Sequence, residues 1–437
     1  MPMETLTQSN LALTWSQRDR QAVWHPWTQM QLARDFIPIV RGEGAMLYAD
    51  DGRSYLDGTS SWWVNLHGHA HPTIVAAIHR QSEQLEHVGF ADFTHPLAIT
   101  LAERLLQLVP GGMSKVFYSD NGSTAVEVAI KMALQYWHNK CEETSRRVVI
   151  CMRGSFHGET FGAMSAAGKN GWNKPFWQHL FQVEMVDPPL LGQEERSIAQ
   201  LQAILQQNKA ACFIFEPLVL GVGGMIFYSA SGLESLLRLC RDQGVLTIAD
   251  EVMTGFGRTE ALFACETLSE QPDMMCLAKG LTGGFLPLAV TVCREEIYRA
   301  FLSENMTHAL LHGHSYTANP VACSAAIANL DLLEDRDCEK QRQRITRLHR
   351  SFCGKWRGHP RLVRCESLGT VLVLEYRVTG GSSYYSPLRH RLYYYFLDHG
   401  ILLRPLGNVL YVMPPYCMST SELQYIYDHI GFTVENF

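Results

Sequence analysis

Three features that would point to other classes of protein are missing from this sequence of 437 residues. Its twelve cysteines are scattered, and the two nearest to each other, Cys141 and Cys151, are ten residues apart, so neither a zinc ribbon nor a disulfide framework is expected. No apolar run reaches the roughly eighteen residues that a membrane span needs. A formal net charge of −6 gives no broad positive field to hold nucleic acid.

These absences predict a soluble, cytoplasmic protein that binds neither nucleic acid nor a membrane. Residues 1–20 are polar and lack the basic start and apolar core of a signal peptide. Without a disulfide framework, the cysteines are expected to be reduced and partly buried, as in a cytosolic protein.

The spacing of apolar residues predicts an α/β fold. Helical periodicity predicts helices over residues 96–108, 125–137 and 320–334, and short apolar runs alternate with helical patterns between residues 211 and 292. Strands that alternate with helices indicate right-handed crossovers and a mainly parallel sheet flanked by helices.

The length of the chain predicts more than one compact unit, because 437 residues are long for a single core. We predict an N-terminal segment of a small lobe over residues 1–60, a large domain over 61–334 and a C-terminal small domain over 335–437. In the last segment, strands are predicted over 402–404 and 409–413, which would contribute to an α+β lobe.

Two apolar stretches end on charged residues. Residues 245–249 lead into Asp250, and residues 274–278 lead into Lys279. Such runs are typical of strands buried on both faces, and ligands bind at the carboxyl ends of parallel strands. A lysine that forms a Schiff base and an acid that keeps a pyridine nitrogen protonated are what pyridoxal 5'-phosphate needs. Taken alone, the same two residues could also form a salt bridge or be solvated strand ends.

Other local patterns leave two interpretations open. Gly122 and Ser123 begin a predicted helix, where free backbone N–H groups can bind phosphate, although an ordinary N-cap explains them equally well.

His67, His69 and His71 alternate along the chain, but no fourth ligand follows at a sensible spacing, so no metal site is expected.

A third pattern could indicate a hydrolase. Residues 313–315 begin like the nucleophile motif Gly-x-Ser-x-Gly. Thr317 stands where the last glycine of that motif should be, which weakens this interpretation.

The stretch from Ile248 to Thr259, together with Lys279-Gly280-Leu281-Thr282-Gly283-Gly284, closely resembles the lysine-site pattern of class III, fold-type I, pyridoxal-phosphate aminotransferases. The resemblance implies that Lys279 and Asp250 are catalytic, with Asp250 holding the pyridine N–H. It implies a homodimer whose residues 313–315 reach the phosphate of the neighbouring subunit. The cofactor-binding residues that it implies are Gly122, Ser123, Phe156, His157, Glu216, Asp250, Lys279, Gly313, His314 and Ser315.

Further segments are similar to the biotin-biosynthesis branch of this family, namely Trp24-His25-Pro26, Ser60-Ser61-Trp62-Trp63 and residues 410–416. That branch transfers an amino group from S-adenosyl-L-methionine to 8-amino-7-oxononanoate and produces 7,8-diaminononanoate. The substrate-binding residues implied by the resemblance are Trp27, Trp62, Trp63, Arg404 and Tyr411, with Arg404 pairing the substrate carboxylate.

The chain departs from the family pattern at three places. Trp27 and Phe156 stand where the family usually has tyrosine, and His314-Ser315 replaces Pro-Thr in the phosphate loop, where serine keeps a hydroxyl. Two missing hydroxyls predict altered handling of the amino donor, with lysine in place of adenosylmethionine as the second candidate. The same pattern would also suit a class III ω-aminotransferase with different substrates, or a non-catalytic dimer that keeps the fold.

Overall fold

The computed structural model describes residues 13–141 and 145–437. In chain order, its strands are β1 (Ile39–Glu43), β2 (Met46–Ala49), β3 (Ser54–Asp57), β4 (Met113–Ser119), β5 (Val148–Met152), β6 (Val183–Val186), β7 (Ala210–Phe215), β8 (Val219–Leu220), β9 (Ile226–Phe227), β10 (Leu246–Asp250), β11 (Met274–Leu277), β12 (Ala289–Arg294), β13 (Leu362–Leu368), β14 (Val371–Tyr376), β15 (Ile401–Leu402) and β16 (Val409–Val412).

The helices, again in chain order, are α1 (Trp15–Ala22), α2 (Ser60–Trp63), α3 (Pro72–Ser82), α4 (Pro96–Leu108), α5 (Gly122–Lys140), α6 (Phe161–Ala166), α7 (Glu194–Leu205), α8 (Ala230–Asp242), α9 (Glu295–Arg299), α10 (Pro320–Leu333), α11 (Arg336–Trp356), α12 (Leu388–Asp398) and α13 (Thr420–Asn436). The helices predicted from periodicity are confirmed as α4, α5 and α10, and α5 begins three residues earlier than predicted because Asn121 caps it.

A seven-stranded sheet forms the centre of the fold, in the order β4-β12-β11-β10-β7-β5-β6. The strand β12 runs antiparallel to β11 and β4, and the other neighbours are parallel, which confirms the predicted α/β class. In β10 and β11, Asp250 lies opposite Cys276, so both strands end at the same edge of the sheet. That edge is where parallel sheets bind ligands.

Helices cover both faces of this sheet, because side chains along its strands alternate between two apolar clusters. In β7, Phe213 and Phe215 point to one cluster, which includes residues of α4, α8 and α10. Cys212 and Ile214 point to the other, which is formed mainly with α5. Burial on both faces explains why β7 is apolar throughout.

The two ends of the chain meet in a smaller sheet of order β1-β2-β3-β15, in which β15 pairs parallel to β3. The prediction of a strand over residues 402–404 is wrong at its C-terminal end, because β15 stops at Leu402. Pro405 lacks the N–H that a longer ladder would need, and Arg404 is left free to turn toward Trp62. The strand β16 belongs to a different sheet, β13-β14-β16. The division into domains stays a prediction.

Within the described ranges, no helix combines the length and the apolar character that crossing a membrane requires. All twelve cysteines are free thiols, and most are buried in the apolar clusters.

Candidate active site

A cavity of about 560 Å³ opens at the carboxyl edge of the central sheet. The loops after β4, β5, β7, β10 and β11 contribute to its walls. The residues that line the cavity are therefore far apart in sequence. The predicted site residues that line it are Gly122, Ser123, Phe156, His157, Glu216, Asp250, Lys279 and Trp63.

Lys279 lies two residues after the end of β11 and begins a one-turn 3₁₀ helix, Lys279–Thr282. Its φ of 45° is in the left-handed region, which the backbone of a residue other than glycine seldom adopts without support from its surroundings. Its amine lies 4.6 Å from the centre of the Trp63 ring. Burial lowers the pKa of Lys279 to about 8, against the opposing effect of the nearby acids Asp250 and Glu216. A larger share of the amine is therefore neutral at pH 7 than in an exposed lysine.

Asp250, at the end of β10, is paired with a histidine from the loop after β5. The Nδ1 of His157 lies 2.7 Å from Oδ2 of Asp250, and both side chains are buried. Because an ionised carboxylate can only accept, His157 donates from Nδ1. The backbone N–H of Val252 donates to the other oxygen of Asp250 at 3.1 Å. The acid is thereby held in one orientation at the floor of the cavity.

Glu216 directly follows β7 and joins three segments of the site. It accepts hydrogen bonds from the backbone N–H groups of Phe156 at 2.8 Å and Gly221 at 2.9 Å. Burial raises the pKa of Glu216 to about 7, and the charge of Asp250 adds to this rise. The site therefore holds less than two full negative charges near neutral pH.

The start of α5 forms one wall of the cavity. Asn121 accepts a hydrogen bond from the N–H of Thr124 at 3.1 Å, so the first helical N–H groups, at Gly122 and Ser123, have no partner within the helix. The hydroxyl of Ser123 lies 2.8 Å from that of Thr160. Gly158 packs against it so closely that a β-carbon there would stand 2.2 Å from Ser123 Oγ. The result is an anion cradle made largely of backbone.

The α2 turn separates the two tryptophans. Positive φ values run from Ser60 to Trp63, and the buried carboxylate of Asp57 supports this conformation by accepting from the N–H of Ser61 at 3.0 Å. As a result, Trp63 is buried, while Trp62 stays partly exposed. A continuous stretch of helix would have placed both rings on neighbouring faces.

Each of the two tryptophans contacts a residue from the C-terminal part of the chain. The indole N–H of Trp63 donates to the hydroxyl of Tyr411 at 3.0 Å. The guanidinium of Arg404 lies 4.0 Å from the ring centre of Trp62. No acidic side chain in the described part of the chain pairs with Arg404, so its donors are available to a ligand.

A family model described as "Aminotransferase class-III" matches residues 29–434. The chain belongs to the class III aminotransferase family. This confirms the resemblance inferred from the lysine-site pattern, and pyridoxal phosphate is the cofactor of this aminotransferase, as in its family.

Three relatives show how far the likeness extends. The adenosylmethionine-8-amino-7-oxononanoate aminotransferase of Synechococcus elongatus is 46% identical over 417 residues, which are 94% of this chain and 97% of that one. The crystal structure of the enzyme of that name from Methanocaldococcus jannaschii has a TM-score of 0.90 at 34% identity, covering 95% and 97% of the two chains. The ω-transaminase of Pseudomonas jessenii, in complex with PMP, has a TM-score of 0.90 at 26% identity, covering 97% and 98%.

The residues of this aminotransferase fit its cofactor. A lysine amine, a buried acid and a backbone anion cradle surround one cavity, as an aldehyde, a pyridine nitrogen and a phosphate require. The close approach of α5 is part of this fit, because a β-carbon at Gly122 would stand 2.6 Å from the side chain of Val252. We expect Lys279 to bind the aldehyde, Asp250 the ring nitrogen, and Gly122 and Ser123 the phosphate.

Several predicted residues lie outside the cavity wall. Trp27 contacts Phe156 with ring centres 6.4 Å apart, and so adjoins the cavity. Residues 313–315 do not line the cavity of their own chain, and their predicted role at a neighbouring subunit stays a prediction. Ser315 lies in a turn and not at a strand-to-helix elbow, which contradicts the hydrolase interpretation. In the described residues, no group of three or more histidine, cysteine and acidic side chains could hold a metal ion.

Sequence patterns did not indicate Thr160, or the segment from Phe285 to Leu288, which lines the cavity. The glycine pair before this segment was the available signal. Gly284 has a φ of 90°, and a β-carbon there would stand 2.9 Å from the backbone of Asn65, so only glycine lets the segment fold back over the site.

Proposed function

We propose that this aminotransferase transfers the amino group of S-adenosyl-L-methionine to 8-amino-7-oxononanoate, giving 7,8-diaminononanoate in biotin biosynthesis. The observation that carries this proposal is the arrangement of Lys279, Trp63, Trp62 and Arg404. The amine of Lys279 lies over the ring of Trp63, and the unpaired guanidinium of Arg404 lies over the ring of Trp62, the preceding residue in the chain. This arrangement suits an acceptor whose keto group is separated from its carboxylate by an apolar chain. Relatives of that name, at 46% and 34% identity, support the same substrates.

Different residues of the chain have different roles in catalysis. When bound, pyridoxal phosphate supplies a ring that accepts the electron pair left on the donor carbon. The lowered pKa of Lys279 lets its Nζ take the proton from that carbon and later return one to the carbon that receives the amine. Asp250 keeps the pyridine nitrogen protonated, and the hydrogen bond from His157 fixes the carboxylate for this task.

We also propose a cytoplasmic homodimer. Exposed apolar side chains flank the loop of residues 313–315, with Leu311 exposed by 68% and Tyr316 by 66%. Patches of this kind mark interfaces, and pairing would bring the loop toward the phosphate of a second subunit. The free thiols suit a reducing compartment.

The test is the absorbance spectrum of the cofactor-loaded protein. Adenosylmethionine, added without any keto acid, is expected to bleach the band of the loaded cofactor, and 8-amino-7-oxononanoate is then expected to restore it. A Lys279→Ala variant serves as control, because it lacks the amine that moves the proton. If lysine bleaches the band and adenosylmethionine does not, the proposed donor is wrong while the lysine site stands.

A further inference from the structure

Four aromatic rings form a cluster beside the active-site cavity. Trp27 is at its centre, with ring-centre distances of 6.4 Å to Phe156, 6.2 Å to Trp172 and 6.4 Å to Tyr384. Trp172 and Tyr384 also contact each other at 5.4 Å. Phe156 lines the cavity, so the other rings continue its wall outward. We call Trp27, Trp172 and Tyr384 the outer aromatic cluster.

Tyr384 is presented by a loop that is held against β16. The N–H of Ser383 donates to the side chain of Asn408 at 3.1 Å, and Asn408 in turn donates to the carbonyl of Tyr376 at 2.8 Å. Gly407 allows this close packing, since a β-carbon there would stand 1.9 Å from the carbonyl oxygen of Ser383. The backbone that carries Tyr384 is therefore held in place before any ligand arrives.

Trp172 is presented in a comparable way from the segment after α6. The backbone N–H of Trp172 donates to the side-chain oxygen of Asn170 at 3.2 Å. Asn173, which is buried, donates to the carbonyl of Gly168 at 2.8 Å and accepts from the indole of Trp177 at 2.8 Å. Two asparagines thus fix the loop, so binding a ligand on Trp172 costs little conformational entropy.

The outer aromatic cluster is accessible although its rings are held in place. Trp27 is 36% exposed, and Trp172 and Tyr384 are half-buried. The cluster is also close to the substrate wall, because Tyr384 acts electrostatically on Tyr411, which contacts Trp63.

We propose that Trp172 and Tyr384, together with Trp27, bind the purine of the amino donor and so select an adenosyl compound over an aliphatic amine. Flat, fixed and accessible aromatic faces stack well on a purine, and they offer much less to the flexible chain of lysine. This inference rests on the proposed function, since it concerns the donor of that reaction. It also provides a role for Trp27, whose larger ring takes the place of the usual phenol.

The test compares two amines that run the same half-reaction. Adenosylmethionine carries a purine, whereas 7,8-diaminononanoate, the product amine acting in reverse, has none. Stopped-flow bleaching of the cofactor band gives an apparent Kd for each amine in the holoenzyme. Trp172→Leu and Tyr384→Leu are each expected to raise the apparent Kd of adenosylmethionine roughly tenfold or more, as expected for the loss of base stacking. The apparent Kd of diaminononanoate is expected to stay unchanged.

Two further variants separate stacking from folding. Trp172→Phe keeps an aromatic face and is expected to restore most of the affinity for adenosylmethionine. Phe176→Leu changes an exposed ring of the same segment that contacts Phe161 and not the cluster, and it is expected to have no effect. Equilibrium dialysis with labelled adenosine gives a second measure that needs no turnover.

The outcomes distinguish this inference from the proposed function. If Trp172→Leu weakens both amines equally, or weakens neither, the cluster does not bind the purine and the inference is wrong, while the reaction itself stands. If adenosylmethionine fails to bleach the band of the unsubstituted protein while diaminononanoate succeeds, the proposed donor is wrong and the inference falls with it.

Discussion

Replacing Lys279 with methionine is expected to stabilise the cofactor-free protein. The folded-state pKa of about 8 lies below the ordinary lysine value of 10.5, so at neutral pH the fold holds a charged amine that would be better solvated in the unfolded chain. A shift of this size corresponds to at most about 3 kcal/mol. Because the side chain remains partly exposed to the cavity, we expect about 1–2 kcal/mol.

The pH dependence of this difference follows from linkage. Between pH 8 and pH 10.5 the unfolded chain binds more protons at Lys279 than the folded protein does, so the stability of the unsubstituted protein rises with pH in this window. Below pH 8, the unsubstituted protein has its full loss of unfolding free energy relative to the Lys279→Met variant. Toward pH 10.5 this difference in unfolding free energy disappears, because the amine becomes neutral in both the folded and the unfolded state.

Urea unfolding of both proteins, stripped of cofactor and at equal concentration, measures the difference at pH 7 and pH 9.5. The variant should unfold at higher urea at pH 7, and its advantage should shrink by roughly half or more at pH 9.5. Lys209→Met, at an exposed position, is the matched control and should show no such advantage. A Lys279→Met variant that is less stable at pH 7, or an advantage independent of pH, would refute the reasoning.

Three other predictions concern the active site. Arg404→Lys keeps the charge but loses the guanidinium fork, and it is expected to raise the KM for 8-amino-7-oxononanoate roughly tenfold or more in steady-state assays. Gly158→Ala places a methyl group against Ser123 at a φ of 131°. Equilibrium dialysis is expected to show that this variant binds pyridoxal phosphate at least roughly tenfold more weakly. Asp250→Asn removes the charge that holds the pyridine proton, and it is expected to slow both half-reactions on the order of a hundredfold in stopped-flow measurements.

Each of these predictions has an outcome that contradicts it. An unchanged KM for the keto acid in Arg404→Lys would place the substrate carboxylate elsewhere. Unaltered cofactor affinity in Gly158→Ala would mean that the start of α5 does not bind the phosphate. If Asp250→Asn slowed only one half-reaction, the acid would be acting on a substrate and not on the ring. Gly112→Ala, at an open position with a positive φ, is the control for backbone strain without a clash.

The lysine site could be predicted from the sequence because its signals are local. The apolar runs that end at Asp250 and Lys279 have the length and composition of buried strands, and parallel strands of one sheet end at one edge. Periodicity located α4 and α10 closely for the same reason, since the residues that determine a helix lie within a few turns of one another. The cap at Asn121 and the end of β15 before Pro405 were less evident, because they depend on single side chains.

Only the tertiary structure decided which distant segments complete the site. No periodicity relates Trp62 to Arg404, or Trp27 to Trp172 and Tyr384, because these pairs are brought together by the path of the chain. The parallel pairing of β15 with β3 carries the segment of Arg404 toward α2, and Asn408 holds the loop of Tyr384 in place. The sequence by itself therefore determined the chemistry of the amine and its acid, since that chemistry is encoded in neighbouring residues. The shape of the substrate walls depends on packing between residues far apart in sequence, and it became visible only in the folded chain.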